Sequence, residues 1–226
     1  DLLTELDQDG GVSFADTFIL THPDQDHIRN FKKHYYVGDP SKLGEEEIEE
    51  ELIRVDELWF SPKVFDRKDS ICDDAEDFRK EARRRMKLHK DLDESKDLPG
   101  NRIVIIGYSD NPELDGLENL ILVPGSSTSK INGSEKIDFS LFVHAPFKDD
   151  VEDGDDRNDA SIVFQARFKV RDIERAGLAL FGGDAGWKIW EKILDKSDDE
   201  TLEWDLLLAP HHCSWGFFND SSQSDD

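Results

Sequence analysis

Three short apolar segments of this chain each end directly in a group of histidine, aspartate or glycine residues, and this arrangement constrains the fold most. The segments and the groups that follow them are DTFIL (16–20) before THPDQDHI (21–28), GLALF (177–181) before GGD (182–184), and LLLA (206–209) before PHH (210–212). Apolar runs of this length, bounded by turn residues, are typical of short buried strands. Loops at the ends of such strands hold side chains rigidly at one edge of a sheet, so the pattern predicts a shared polar site.

Strands and helices alternate along the rest of the chain, and their order predicts a layered α/β fold. Further strands are predicted at 57–60, 102–107, 120–123, 138–143 and 161–170. The segments 161–170 and 177–181 are expected to pair as a hairpin. Helices are predicted at 73–90 and 185–194, where apolar residues recur at helical spacing. The aspartate-dense run 149–159 predicts a surface loop.

The excess of acidic residues restricts the partners that the chain attracts. The sequence has 53 acidic and 28 basic residues, which give a formal net charge of −25. This charge opposes non-specific adhesion to nucleic acid or to an anionic membrane. The one concentration of positive charge is RKEARRRMKLHK at 79–90, with seven Lys or Arg residues. The stretch either contacts a phosphate backbone or forms a solvated helix face, and we favour the second interpretation.

Cysteine usage and hydropathy predict a soluble cytoplasmic protein. Cys72 and Cys213 lack the spacing of a disulfide framework, which indicates reduced thiols. No apolar run approaches the roughly 20 residues of a membrane helix. The first residues lack the basic-then-apolar pattern of a secretory signal. We therefore expect no membrane as a partner.

The polar groups that follow the strands resemble the signature elements of the metallo-β-lactamase fold. The stretch His22-Pro23-Asp24-Gln25-Asp26-His27 is similar to the first signature, usually His-x-His-x-Asp-His. The stretch Phe181-Gly182-Gly183-Asp184 is similar to the later Gly-Asp element, whose aspartate bridges two metal ions.

Within this fold, the chain most resembles the hydrolase domain of ComEC-type competence proteins. That branch has aspartate at the third position of the first signature, as Asp24 does here. Its Asn-x-x-Ser strand start is matched by Asn158-Asp159-Ala160-Ser161, and its Pro-His-His-Gly-Ser element by Pro210-His211-His212-Cys213-Ser214. Cys213 stands where the branch has glycine, which alters the backbone freedom at that position.

The resemblance implies an α/β fold in the form of a four-layer αββα sandwich. The chain would form one metallo-β-lactamase-like domain over 1–226, incomplete at both ends. The strands that normally precede the first signature and the segment that normally follows the His-His loop are not matched. Residues from about 39 to 100 would form a charged, partly helical insertion.

The resemblance also implies a centre with two divalent metal ions. His22 and Asp24 would bind one ion. Asp26 and His27 would bind the other, and Asp184 would bridge the two. Because carboxylates replace some of the imidazoles, the ligand set favours Mn²⁺ or Mg²⁺ more than the usual set does, although Zn²⁺ stays an alternative.

Five further residues are candidates whose roles the resemblance leaves open. Either His211 or His212 would complete the second metal site. The histidine of the family's intermediate motif is absent, and Asn158 stands nearest to its position, with His144 as a second candidate. Ser214 lies beside the His-His loop and is a candidate substrate contact.

By the same resemblance, the expected reaction is metal-assisted hydrolysis of a phosphodiester, with nucleic acid as one candidate substrate. Asp26 or Asp184 would orient or deprotonate the attacking water as catalytic residues. The alternatives are hydrolysis of a small molecule, such as a cyclic nucleotide, a lactone or a thioester, and a non-catalytic metal-stabilised module. That module would bind a protein partner or additional chain segments. The acidic composition favours a small substrate over a nucleic acid.

Overall fold

The first of two large sheets is built mainly from parallel strands. The computed structural model describes residues 5–66, 71–108, 112–152 and 156–218, and over these ranges the fold is mixed α/β. In order across this five-stranded sheet, the strands are β1 (Gln8–Asp9), β2 (Val12–Leu20), β3 (Arg54–Phe60), β4 (Arg102–Ile106) and β5 (Ile121–Leu122). Strands β2 to β5 run parallel, and β1 pairs antiparallel with β2.

The second large sheet is mainly antiparallel. The remaining strands in chain order are β6 (Ser127–Thr128), β7 (Lys130–Ile131), β8 (Ser134–Glu135), β9 (Phe139–Ala145), β10 (Val163–Val170), β11 (Ile173–Phe181) and β12 (Leu206–Leu208). The order across the five-stranded sheet is β12-β11-β10-β9-β6, and β7 pairs with β8 in a separate hairpin. Strand β12 runs parallel to β11, whereas β9, β10 and β11 are antiparallel neighbours.

Two long helices and several short ones connect the strands. The α-helices are α1 (Gln25–Ile28), α2 (Phe31–His34), α3 (Glu45–Glu49), α4 (Asp73–Lys90), α5 (Lys148–Glu152), α6 (Trp187–Lys196), α7 (Asp199–Leu202) and α8 (Trp215–Phe218). The 3₁₀ helices are Pro40–Lys42, Pro62–Phe65, Pro112–Leu114, Glu118–Leu120, Asn158–Ala160 and Pro210–Cys213. In the part of the chain that the structure describes, no helix is both long and apolar enough to cross a bilayer.

Buried apolar side chains form three groups that join these elements. Trp59 of β3 and Leu141 of β9 belong to a group that contains side chains of both sheets. Phe78 of α4 belongs to a second group, with side chains of β3 and β4. Ile189 of α6 packs in a third group with Leu180 of β11. Each side chain of this size contributes roughly 1.5–3 kcal/mol when it is fully buried, so the three groups hold the helices and sheets together.

The predicted elements are largely confirmed, with corrections at their ends. Helix α4 has the predicted bounds, and β10 and β11 pair as the predicted hairpin. Strand β2 begins at Val12 rather than at 16, because Val12 and Ser13 pair with β1 and Phe14 and Ala15 pair with β3. The predicted loop 149–159 is partly helical in its described residues, which include α5 and the turn Asn158–Ala160.

The segment 39–100, predicted to be a charged and partly helical insertion, also supplies a central strand of the first sheet. Strand β3 pairs with β2 on one side and with β4 on the other. Its residues from 55 to 60 are all buried, as expected for a strand covered on both faces. Helix α4 packs against this strand, so the segment is integral to the sheet.

Candidate metal centre

The three polar groups singled out in the sequence meet in space. Residues 21–28 follow the C-terminal end of β2 in the first sheet. Residues 182–184 and 210–212 follow the C-terminal ends of β11 and β12 in the second sheet. The candidate cluster consists of His22, Asp24, Asp26, His27, Asp184 and His212. Four members, Asp26, His27, Asp184 and His212, offer ligand atoms that all lie within 4.8 Å of one another.

Two glycines allow the loops to approach this closely. Gly183 has a φ of +50°, and a Cβ there would lie 3.1 Å from the Cβ atoms of both Thr21 and Ser161. A Cβ on Gly182 would lie 2.5 Å from Cγ of Pro210, which is closer than real side chains pack. The carbonyl of Gly183 also accepts a hydrogen bond of 2.9 Å from the backbone N–H of His211. The Gly-Gly-Asp sequence is therefore required by close contact among loops, beyond its use as a turn.

Asp184 lies at the middle of the candidate cluster. Its Oδ1 is 3.0 Å from Nε2 of His27, and its Oδ2 is 3.7 Å from Nε2 of His22. The same Oδ2 is 3.6 Å from Nε2 of His212. The carboxylate thus faces three imidazoles that come from two different loops.

The exposed side of the candidate cluster is formed by Asp26 and His212. Nε2 of His212 lies 3.0 Å from Oδ2 of Asp26, and Nε2 of His27 lies 3.9 Å from that oxygen. The side chain of Asp26 is 58% exposed, whereas that of Asp184 is 7% exposed. Asp26 is therefore the carboxylate that solvent or a substrate can reach.

The two histidines of the first loop present unpartnered nitrogens inside the candidate cluster. Nε2 of His22 and Nε2 of His27 are buried and make no hydrogen bond to the described residues, although His27 lies close to Asp184. Hydroxyls adjoin the opposite nitrogen of His22, since Oγ of Thr21 lies 3.2 Å and Oγ of Ser161 3.4 Å from its Nδ1. An imidazole held through one nitrogen while the other faces carboxylates is the arrangement of a metal ligand.

The pKa shifts of His22 and Asp26 also favour binding of a cation in the candidate cluster. Burial, and to a lesser extent the neighbouring His27, lower the pKa of His22 from 6.5 to about 3, so its ring is neutral at pH 7. Burial raises the pKa of Asp24, which Arg157 opposes. Burial also acts to raise the pKa of Asp26, but a backbone hydrogen bond, His27 and His212 outweigh it and lower the pKa. Neutral imidazoles beside carboxylates are the donors that divalent transition metals bind.

Of the two adjacent histidines, His212 belongs to the four-residue group around Asp184 and His211 does not. Both residues and Cys213 have left-handed φ values of 49°, 51° and 60°. Nδ1 of His211 is buried and makes no hydrogen bond to the described residues, and the same holds for Oγ of Ser214. Neither atom belongs to the four-residue group around Asp184.

The two candidates for the intermediate motif lie outside the candidate cluster. Nδ1 of His144 lies 3.0 Å from Oγ of Ser197, the residue that follows α6. Asp184 precedes the start of that helix, and ten residues of α-helix span about 15 Å, so His144 lies near the opposite end. Oδ1 of Asn158 is buried and makes no hydrogen bond to the residues described. The contact of His144 with Ser197 gives no support to its predicted role as a ligand, whereas the role of Asn158 as a ligand or substrate contact stays a prediction.

Sequence reasoning missed three side chains that support the centre. Thr21 and Ser161 hold His22 through their hydroxyls, and Oγ of Ser161 accepts a hydrogen bond of 3.2 Å from the backbone N–H of Asp184. Nε of Arg157 lies 3.0 Å from Oδ1 of Asp24. Arg157 had a visible signal, because it is the one basic residue in the acidic run 149–159. Ser161 had a signal as the last residue of the Asn-x-x-Ser element, whereas Thr21 had none beyond its place next to His22.

Comparison with known proteins identifies no relative: no family model, no curated protein and no solved structure matches the chain.

Proposed function

We propose that the chain is a metal-dependent hydrolase that cleaves phosphodiester bonds at a dinuclear centre formed by the candidate cluster. We further propose a four-layer αββα sandwich of the metallo-β-lactamase type, similar to the hydrolase domain of ComEC-type proteins. The layering is supported by the three apolar groups, which join α4 to the first sheet, the first sheet to the second, and the second sheet to α6.

One observation carries the functional proposal. Ligand atoms of Asp26, His27, Asp184 and His212 converge within 4.8 Å although the residues lie on three separate loops. A structural role does not require so many titratable groups with unpartnered buried nitrogens, because burying a polar atom without a partner costs roughly 1–3 kcal/mol. Binding of a divalent cation satisfies those atoms at once.

The candidate cluster divides into two sets of ligands around Asp184. His22 and Asp24 would hold one ion, and His27 with Asp26 and His212 would hold the other. Bound metal ions would activate water and neutralise charge on the phosphoryl group. Zn²⁺ and Mn²⁺ fit the mixed imidazole and carboxylate donors, and Mg²⁺ fits them less well.

Asp26 is the side chain best placed to handle the proton of the attacking water. It is the most exposed of the three carboxylates in the candidate cluster. Burial acts to raise its pKa, but a backbone hydrogen bond, followed by His27 and His212, lowers it, which favours the ionised form that a general base requires. Asp184 is nearly buried and serves as a ligand to both sites.

The basic stretch of α4 favours a small phosphodiester over a long nucleic acid. Each of its seven Lys and Arg side chains bonds to a partner within the described residues. Arg79 and Arg85 are buried, so the predicted solvated face is only partly present. Because these cations are already paired within the chain, the helix attracts a phosphate backbone less strongly, which favours a cyclic or short phosphodiester as the substrate.

The test compares turnover of bis(4-nitrophenyl) phosphate in the presence of Mn²⁺, Zn²⁺ or Mg²⁺. We expect the wild-type chain to hydrolyse it and Asp184→Asn to lose at least about 1000-fold in kcat with an unchanged circular dichroism spectrum. Asp195→Asn is the matched control, since Asp195 is exposed on α6 and should retain full activity. Full metal-dependent activity in Asp184→Asn would refute the proposal. Metal binding without turnover of any phosphodiester would instead favour the non-catalytic module.

A further inference from the structure

Arg157 is the basic residue that touches the candidate cluster. It lies just before the turn Asn158–Ala160, in a run that otherwise contains aspartate, glutamate, glycine, valine and asparagine. Its Nε lies 3.0 Å from Oδ1 of Asp24, and its side chain is 24% exposed. Among the described residues, no other Lys or Arg forms an ion pair with Asp24, Asp26 or Asp184.

The guanidinium has hydrogen-bonding capacity left after this contact. In the part of the chain that the structure describes, the Nη1 and Nη2 groups of Arg157 form no hydrogen bond. Arginine presents its N–H donors in a planar fork that matches two oxygens of a phosphate. One edge of the guanidinium can therefore hold Asp24 while the amino groups bind an anion.

A cation beside the proposed metal centre favours an anionic substrate in this chain. The formal net charge is −25, and three carboxylates stand in the candidate cluster itself. Bound metal ions would offset those three carboxylates, but the rest of the acidic surface still repels a negatively charged diester and leaves a neutral ester unaffected. Helix α4 does not provide that cation, because its basic side chains already have partners.

We infer that Arg157 binds the negatively charged phosphoryl oxygens of the substrate and thereby selects a phosphodiester over a neutral lactone or thioester. This inference rests on the proposed hydrolase function. In the same position, Nε forms an ion pair with Oδ1 of Asp24, whose Oδ2 faces His22 at 3.8 Å. Arg157 thus touches a proposed ligand, and its inferred role is recognition of the substrate's charge.

The experiment measures kcat and KM of the full chain for two probes, the anionic bis(4-nitrophenyl) phosphate and the neutral 4-nitrophenyl acetate. It also measures Mn²⁺ affinity by calorimetry, which does not depend on turnover. For Arg157→Gln we expect KM for the diester to rise about 10- to 100-fold, because a charge-assisted hydrogen bond is lost. Arg157→Lys should restore part of this loss, since it keeps the charge but not the fork.

For the neutral ester, kcat/KM in Arg157→Gln should stay within about 2-fold, and Mn²⁺ affinity within about 3-fold. Arg171→Gln is the matched control, because Arg171 is exposed in the turn of the β10–β11 hairpin, at the opposite end of β11 from Asp184. An equal loss for both probes together with weaker Mn²⁺ binding would overturn the inference and leave Arg157 as a support for Asp24. Failure of the hydrolase proposal has a different signature, which is undiminished activity in Asp184→Asn.

Discussion

Two clusters of buried charged side chains in this protein differ in how fully their polar atoms are paired. The α4 network comprises Glu81, Arg84, Arg85 and their partners. Glu81 accepts hydrogen bonds of 2.7 Å from Arg85 and of 2.7 and 2.9 Å from Arg84. The remaining N–H groups of Arg85 reach backbone carbonyls, including that of Val55 at 2.9 Å. Every charge in this network has an internal partner.

The candidate cluster lacks that pairing. Nε2 of His22 and Nε2 of His27 are buried without hydrogen bonds to described residues, and the adjoining loop holds three non-glycine residues in left-handed backbone. Polar groups that are buried and satisfied stabilise a fold, whereas unsatisfied groups and strained backbone concentrate at functional sites. The comparison teaches that charge and burial alone do not mark a site; unpartnered nitrogens that converge with carboxylates do.

Removing one member of the α4 network should have the largest effect on stability. Glu81→Ala leaves Arg85, which is 2% exposed, without its carboxylate, so the free energy of unfolding should fall by about 3–5 kcal/mol. Glu76→Ala on the same helix is the control, because that side chain is 39% exposed and its pair with Arg79 contributes at most about 1 kcal/mol. Urea denaturation measures both. Similar losses for the two variants would contradict the contrast between the regions.

Acid should destabilise the protein through a buried histidine that belongs to neither region. Burial, opposed by a backbone hydrogen bond, lowers the pKa of His144 from 6.5 to about 4. Between these pH values the unfolded chain binds a proton that the folded chain does not, so stability falls as the pH drops from 6.5 to about 4. The loss amounts to about 3 kcal/mol at most. Metal-free His144→Asn should lose correspondingly less stability over this range than metal-free wild type, as measured by urea denaturation at several pH values.

The two adjacent histidines should differ in metal affinity. His212→Asn removes a nitrogen that lies 3.0 Å from Asp26, so Mn²⁺ affinity should fall at least about 100-fold. His211→Asn should change it by less than about 3-fold. Asparagine tolerates the left-handed backbone at both positions, which makes the pair a matched comparison. Calorimetric titration measures the Mn²⁺ affinity of both variants. An equal loss of affinity in the two would show that His211 is also a ligand.

The smallest expected change in the free energy of unfolding comes from the strained turn Pro210–Cys213. Cys213 has a φ of 60°, which costs an L-residue roughly 1–2 kcal/mol and glycine nothing, although glycine loses more entropy on folding. Cys213→Gly should therefore raise the free energy of unfolding by about 0.5–1 kcal/mol in a urea titration. A decrease would mean that the thiol makes a compensating contact.

The sequence predicted those features that depend on local pattern. The stripe of Ala75, Phe78 and Ala82 predicted α4 with its observed bounds, because a helix buries one face at a fixed spacing. The apolar runs before His22 and Asp184 predicted the strands that bring these residues to a common edge.

Features that depend on contacts between distant segments could not be predicted. The position of His212 in the four-residue group around Asp184 depends on the left-handed turn that contains it and on the close approach of Pro210 to Gly182. The approach of Arg157 to Asp24 joins residues 133 positions apart. The position of His144 against Ser197 depends on how α6 crosses the second sheet, which no local pattern records.

The most direct test of the account is the number of divalent metal ions that the full chain binds. After removal of metal with a chelator and titration with Mn²⁺ or Zn²⁺, we expect saturation at about two ions per chain in the wild type. Asp184→Asn should bind at most one ion, and weakly. A wild-type chain that binds no metal ion, or an Asp184→Asn variant that binds as many ions as the wild type, would contradict the assignment of the candidate cluster as a metal centre.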